Sequence, residues 1–234
     1  VISMLAINDK QKTSSGNKKF NASCILMELA PFGDFADLLI KKKLYLDQTL
    51  VRTLFHHLIE GIEYLHSRKI AHMDLKLENL LIGDDYILKV SDFDSSYVKY
   101  DLTFQGRGTE NFRAPEVRAK VVRNPKAADI YSAGLILFTL MTGSLAYLEN
   151  SKVEGFDLYD MVLKQDNSFW KIHAKVTDSD CIEDENFRKL FWSMVAAKAD
   201  SRATISDIKK STWYNGPIYS KEEVKKIMEP LCTK

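Results

Sequence analysis

Two short runs carry residue types that suit one reaction. The first is His72-Met73-Asp74-Leu75-Lys76-Leu77-Glu78-Asn79, which sets a carboxylate, an ammonium and an amide close together. The second is Ser91-Asp92-Phe93-Asp94, and its Asp92 lies thirteen residues beyond Asn79. Phosphoryl transfer asks for such a set. A carboxylate must orient the attacking hydroxyl, a cation must meet the transferring phosphate, and oxygen ligands must hold Mg²⁺ on a nucleotide. Asp74, Lys76, Asn79 and Asp92 supply those groups. Alone, an Asp-Leu-Lys triplet would be a surface accident.

The elements around these runs explain how they are held. Asp47 is an N-cap, and Leu50, Leu54, Leu58, Ile62 and Leu65 recur at spacings of three and four, which predicts a helix ending shortly before His72. Leu80–Ile82 and Ile87–Val90 flank Gly83-Asp84-Asp85, a β-hairpin pattern. The hairpin is a rigid way to place Asn79 at one end and Asp92 at the other. Before it, Ala36–Lys43 reads as a short helix. Residues 92–116 show no steady period and read as a long functional loop. Ala127–Thr142 is apolar nearly all round and stops at Gly143, the pattern of a buried helix. Further helices are expected over Asp157–Lys164, Glu185–Val195, Thr204–Lys210 and Lys221–Met228, the last with a Ser220/Glu223 capping box. At the other end, Val1–Ile7 and Ser23–Leu29 read as strands. Asn8–Ala22 between them reads as a mobile insertion whose lysines are solvated.

Composition removes other classes. The 33 Lys and Arg nearly balance the 32 Asp and Glu, so neither nucleic acid nor an acidic membrane is an expected partner. No run is long enough for a membrane span. Cys24, Cys181 and Cys232 are scattered and odd in number. They make neither a disulfide framework nor a zinc site, which implies a reducing, intracellular and cytoplasmic setting. His56, His57, His66 and His173 lack metal spacing and read as ordinary helix or surface residues. Gly106-Arg107-Gly108 follows no strand, opens no helix and is not a phosphate loop.

The run from His72 to Asn79 resembles the catalytic loop of eukaryotic protein kinases of the serine/threonine type, and Asp92-Phe93 resembles the start of their metal-binding motif. Gly108-Thr109-Glu110-Asn111-Phe112-Arg113-Ala114-Pro115-Glu116 is similar to the substrate-facing segment ending in Ala-Pro-Glu. Asp129-Ile130-Tyr131-Ser132-Ala133-Gly134 is similar to the start of the family's buried central helix, and Arg202 to the arginine that pairs with that glutamate, here Glu116. Order and spacing hold over residues 20–214. The resemblance implies an α+β, protein-kinase-like fold. It places a remnant of the β-rich amino-terminal lobe at 1–29, a mostly helical carboxy-terminal lobe at 30–214 and a helical tail at 215–234.

By the same resemblance, the cofactors are ATP and Mg²⁺, and the partner is a protein or peptide bearing Ser or Thr. Asp74 would be the catalytic base, Lys76 the contact to the γ-phosphate, and Asn79 and Asp92 the Mg²⁺ ligands. Thr109, with Lys76, marks serine/threonine specificity. Cys24–Ala30 is similar to the last strand of the amino-terminal lobe and the hinge. Met27 would be the gatekeeper, and the backbone of Glu28 and Ala30 would hold adenine. Asp34 would reach the ribose, and Leu81 would floor the pocket. His72 would brace the loop, and Asp129 would be structural. Trp213-Tyr214-Asn215-Gly216-Pro217 resembles the calcium/calmodulin-dependent and AMP-activated-like branches.

Three departures stand beside the resemblance. No glycine-rich loop, strand lysine or partner glutamate helix is found, so a chain truncated in the amino-terminal lobe, an excerpt or a processed product, is expected. Met73 stands where many members carry Arg, which removes the usual partner for a phosphate on Ser95, Ser96, Tyr97 or Thr103. Asp94 stands where a glycine follows Asp-Phe, either tuning the metal or facing solvent. The expected function is therefore an ATP-dependent serine/threonine kinase in the full-length protein, with this fragment inactive. A pseudokinase acting as a binding or scaffold module is the alternative. A small-molecule phosphotransferase is weaker, because such enzymes lack the Thr109–Glu116 segment and the Glu116–Arg202 pairing.

Overall fold

The computed structural model describes residues 1–15, 18–42, 46–98, 108–148, 151–177 and 180–232, with side chains outside 8–22, 41–42, 176 and 180–181. In chain order the elements are β1 (Met4–Ser15), β2 (Lys18–Met27), α1 (Phe35–Lys42), α2 (Gln48–Ser67), β3 (Ile70–Ala71), β4 (Leu80–Ile82), β5 (Leu88–Val90) and β6 (Tyr97–Val98). Then come α3 (Pro115–Arg118), α4 (Pro125–Thr142), α5 (Leu158–Lys164), α6 (Ser168–Val176), α7 (Glu185–Met194), α8 (Ile205–Lys210) and α9 (Lys221–Cys232). The strands pair in twos, all antiparallel: β1 with β2, β3 with β6, and β4 with β5.

The helical body is organised around α4. Every residue from Ala127 to Thr142 is buried, so the helix has no solvent face. Asn124 caps its start by accepting from the Ala127 amide, and Gly143 ends it at φ 69°, where a Cβ would be strained. Phe138 carries the contact to α6 and α7, with ring centroids 5.4 Å from Phe169 and 5.2 Å from Phe191. On its other side α4 packs against α2, whose N-cap Asp47 accepts from the Leu50 amide at 2.9 Å. At the far end, Ser220 and Glu223 exchange backbone-to-side-chain hydrogen bonds and start α9 as a capping box.

Some expectations need correction. Residues 8–15 and 18–22 are not a loop. They continue both strands into one antiparallel ribbon, with Met4 opposite Met27 and Ser15 opposite Lys18. Polar residues hide this from a sequence reading, because a solvated two-stranded ribbon needs no apolar alternation. The ribbon leaves Met4, Leu5, Ile7, Ile25, Leu26 and Met27 more than half exposed. It joins the body at its base, where the Ile2 amide bonds Val90 O at 2.9 Å and the Glu28 amide bonds Ser3 O at 2.9 Å. The long loop also carries unexpected structure, the strand β6 and a 3₁₀ turn at Glu110–Phe112. Thr103, Gly106 and Arg107 lie outside the described residues. Helix α6 was not foreseen. Among the described residues no helix is long and apolar enough to cross a membrane.

His57 on α2 is an acid-sensitive point. Burial pushes its pKa down to about 4, with His56 adding to the effect and Asp85 opposing it. Its Nδ1 accepts from the Leu88 amide at 3.5 Å, which requires the uncharged ring. The unfolded chain binds a proton near pH 6.5 and the folded chain only near 4. The contribution is thus complete above about pH 6.5 and is lost as pH falls, by about 3 kcal/mol at pH 4. His57→Asn keeps an acceptor and removes the titration. Melting temperatures from pH 7 to pH 4 should fall less steeply in that variant; parallel curves would contradict the assignment.

Candidate active site

The loop from His72 to Asn79 is clamped from below by α4. Asp129 Oδ2 accepts from the His72 amide and Oδ1 from the Met73 amide, both at 2.8 Å. His66, from the last turn of α2, places Nε2 2.8 Å from the same Oδ2. This clamp holds Met73 at φ 68°, a left-handed conformation rarely adopted by a Met. Thus His66 is not an ordinary residue. It sits next to Leu65 on the buried face of α2, and only the fold brings it to Asp129. His173, also read as ordinary, is buried and bonds Ala146 O at 3.0 Å.

From above, the loop is tied to the hairpin. His72 Nε2 lies 2.8 Å from Ser91 O, which puts the ring proton on Nε2. Nδ1 then accepts from the Asp74 amide at 3.3 Å. The β4–β5 register sets Leu80 opposite Val90, so Asn79 and Ser91 meet across the next step, with the Ser91 amide 2.9 Å from Asn79 O. Asn79 and Asp92 are thereby held at the same, open end of the hairpin and not at opposite ends as expected, because antiparallel pairing brings the start of β4 beside the end of β5. Asn79 Nδ2 donates to Asp74 O at 2.8 Å, which leaves the amide oxygen pointing away from that bond. Asp92 stands at φ 63°, and its Oδ1 accepts from the Asp94 amide at 3.4 Å.

Asp74 is the point where the parts converge. The Thr109 amide and hydroxyl both donate to its Oδ1, at 2.6 and 2.8 Å. Lys76 Nζ lies 3.2 Å from Oδ2 and 2.9 Å from Thr109 Oγ1. Burial pushes the carboxyl pKa up. The hydrogen bonds from Thr109 and Lys76, with the Lys76 charge, outweigh this and leave it below the usual carboxylate range. Asp74 is therefore ionised at neutral pH, a hydrogen-bond acceptor beside a cation. Thr109 reaches it because Gly108 adopts φ 120°. A Cβ on Gly108 would lie 2.6 Å from Met73 O, a backbone atom that the Asp129 clamp prevents from yielding. Gly108→Ala is expected to lose about 1–3 kcal/mol of stability through strain. It should also free the Thr109 amide, read as faster hydrogen exchange at that residue. Unchanged melting and exchange would show that the loop accommodates the methyl group.

The segment that follows is anchored to the body. Arg202 makes two bonds of 2.6 Å to the two carboxylate oxygens of Glu116, and its remaining donors reach Ala127 O at 3.0 Å and Ala196 O at 2.8 Å. Ser132 Oγ donates to Phe112 O at 2.8 Å, and Arg113 bonds Gly108 O. Neither of these last two contacts was foreseen from the sequence.

The hinge-side residues are more scattered. Glu28 accepts from the Ser3 amide at 2.7 Å and pairs with Lys89 at 3.0 Å. Ala30 lies between the ribbon and α1, and its O accepts from the Gly33 amide at 3.3 Å. Asp34 and Leu81 form an isolated β-bridge, and Asp34 Oδ1 caps α1 through the Asp37 amide at 2.8 Å. One oxygen of Asp34 is thus committed to a helix cap. Met27 is 51% exposed on the ribbon and is not packed into the body.

Residues 12–214 match the protein kinase domain. The chain is 33% identical over 194 residues to CBL-interacting protein kinase 26 of Oryza sativa subsp. japonica, covering 81% of this chain and 36% of that protein. It is 31% identical over 193 residues to CBL-interacting serine/threonine-protein kinase 8 of Arabidopsis thaliana, covering 81% and 40%. The chain therefore spans well under half the length of these curated relatives. A match over residues 12–214, most of the chain, means that the chain belongs to the protein kinase domain family and has a protein-kinase-like fold.

Proposed function

We propose that this chain carries the catalytic loop of an ATP-dependent serine/threonine protein kinase, with MgATP and a Ser or Thr hydroxyl of a protein as substrates. The observation that carries the reading is Asp74, ionised and bracketed by Lys76 and Thr109. In this role Asp74 accepts the hydrogen bond of the incoming hydroxyl and fixes its line of attack. Lys76 sits where it meets charge building on the transferring phosphoryl group. The Asn79 amide oxygen and the Asp92 carboxylate are hard oxygen donors of the kind Mg²⁺ takes. Among the described residues no group of three or more His, Cys, Asp or Glu forms a closed metal cage. In this reading the backbone of Glu28 and Ala30 would hold adenine, Asp34 would reach the ribose and Leu81 would floor the pocket. Cysteine usage favours a reducing, intracellular setting.

Transfer also needs cover over the phosphates. The 234 residues contain no glycine-rich loop, and the ribbon leaves Met27 exposed. The chain alone is expected to be silent and, with its apolar ribbon open, prone to associate. A second reading, a pseudokinase that keeps the fold for binding, is favoured by one feature: Asp94, two residues from Asp92, adds a second carboxylate beside the expected metal ligand. The two readings part in one experiment. Radiolabelled phosphate transfer to a Ser/Thr peptide pool in Mg²⁺ is measured for this chain alone and for the chain extended through its upstream coding sequence. Transfer by the extended protein supports the kinase. A silent extended protein supports the pseudokinase, and activity from the chain alone contradicts the need for a cover.

A further inference from the structure

We propose that a cationic cleft between β6 and the start of α4 binds a phosphorylated side chain of a second polypeptide. The cleft measures about 420 Å³, and Lys69, Arg123 and Lys126 line it together with Ala71, Tyr97 and the α4 start at Asn124 and Pro125. Among the described residues that line it there is no Asp or Glu. Charges over the whole chain are balanced, 33 basic to 32 acidic, so three cations gathered in one cleft are a local arrangement.

The cleft is also built. Lys126 Nζ is pinned to His66 O at 2.6 Å, and Lys69 stands in a left-handed turn at φ 63° with its amide on His66 O at 3.1 Å. Arg123 is exposed and presents a planar fork that suits two phosphate oxygens. The 18-residue helix α4 begins here, and its dipole adds to the cations. Pairing of Ala71 with Tyr97 closes the floor with apolar surface. The volume exceeds what a single ion needs and falls in the range of small-ligand sites, so it has room for the side chain that carries the phosphate. A patch of three cations on a chain of net charge +1 is too small to track a nucleic-acid backbone. The hydroxyl just before Tyr97, on Ser96, is held near His72 O at 3.4 Å, while β6 is fixed to β3. A phosphate carried by a second chain would reach the cleft from solvent, past the exposed Arg123.

The test reads binding alone, so it stands or fails apart from the kinase reading. The ¹⁵N-labelled chain is titrated with a degenerate phosphoserine peptide pool, with its unphosphorylated counterpart and with inorganic phosphate. Saturable amide shifts at Lys69, Arg123 and Asn124 are expected with the phosphopeptides and not with the unphosphorylated pool. Affinity should weaken about tenfold or more in Arg123→Glu, as loss of a charge-assisted pair implies. Lys69→Asn should weaken it as well, and Asn tolerates the left-handed turn. Shifts with inorganic phosphate that persist in both variants mean an adventitious ion only. That result, or the absence of saturable shifts at these residues, overturns the proposal.

Discussion

Asp74→Asn is expected to abolish phosphate transfer by the extended protein, by roughly 10²–10⁴-fold, the range for a positioned acid–base group. The substitution keeps shape and removes charge. The side-chain amide would offer one carbonyl oxygen to Thr109, but its NH₂ group would face Lys76 Nζ, which in the parent lies 3.2 Å from a carboxylate oxygen. Two donors would then meet, and no anion would remain to orient a hydroxyl. The loop itself should persist, because its anchors are elsewhere: the His72 and Met73 amides on Asp129, and the His72 ring on Ser91 O. The measurement is transfer in Mg²⁺ by parent and variant, with thermal melting as the control. A variant that melts like the parent yet retains transfer would remove Asp74 from its role. The low pKa of Asp74 adds a direction. The carboxylate is ionised throughout the neutral range, so activity should not fall as pH drops from 7 to 6 through this group.

Arg202→Ala is expected to be among the most destabilising single changes. The Arg202 side chain is fully buried, and that of Glu116 is 14% exposed. Removing the guanidinium strands the carboxylate and also takes the Arg202 donors away from Ala127 O and Ala196 O. Breaking one side of a buried pair costs about 3–5 kcal/mol, a large share of a typical ~5–15 kcal/mol. For a chain of this size each kcal/mol lowers the melting temperature by about 2–4 °C, so a drop of roughly 6–20 °C is expected. Arg202→Lys should rescue little, since one ammonium cannot replace the parallel bonds to both Glu116 oxygens. Melting near the parent value in Arg202→Ala would mean that the pair opens to water in solution.

The sequence by itself determined much of this protein. The α2 periodicity, the unbroken apolar run of α4, the caps at Asp47, Ser220 and Gly143 and the β4–β5 hairpin were legible, because each is written in a short local stretch of residues. The residue set Asp74, Lys76, Asn79 and Asp92 was legible for a related reason, since the short hairpin ties sequence spacing to spatial separation. Other features waited for the tertiary structure. The β1–β2 ribbon was hidden in the sequence by its polar residues, because the ladder is made by backbone groups that no side-chain pattern reports. His66 at Asp129, Arg113 at Gly108 and Ser132 at Phe112 O join residues from separate elements. The left-handed backbone at Met73 and Gly108 is likewise imposed from outside, by Asp129 and by the approach of Thr109 to Asp74. The cationic cleft has the same origin. Lys69 is far in sequence from Arg123 and Lys126, and it meets them because β3 and the start of α4 are packed side by side. Local preference chose the elements and the reactive residues, while long-range packing chose their neighbours.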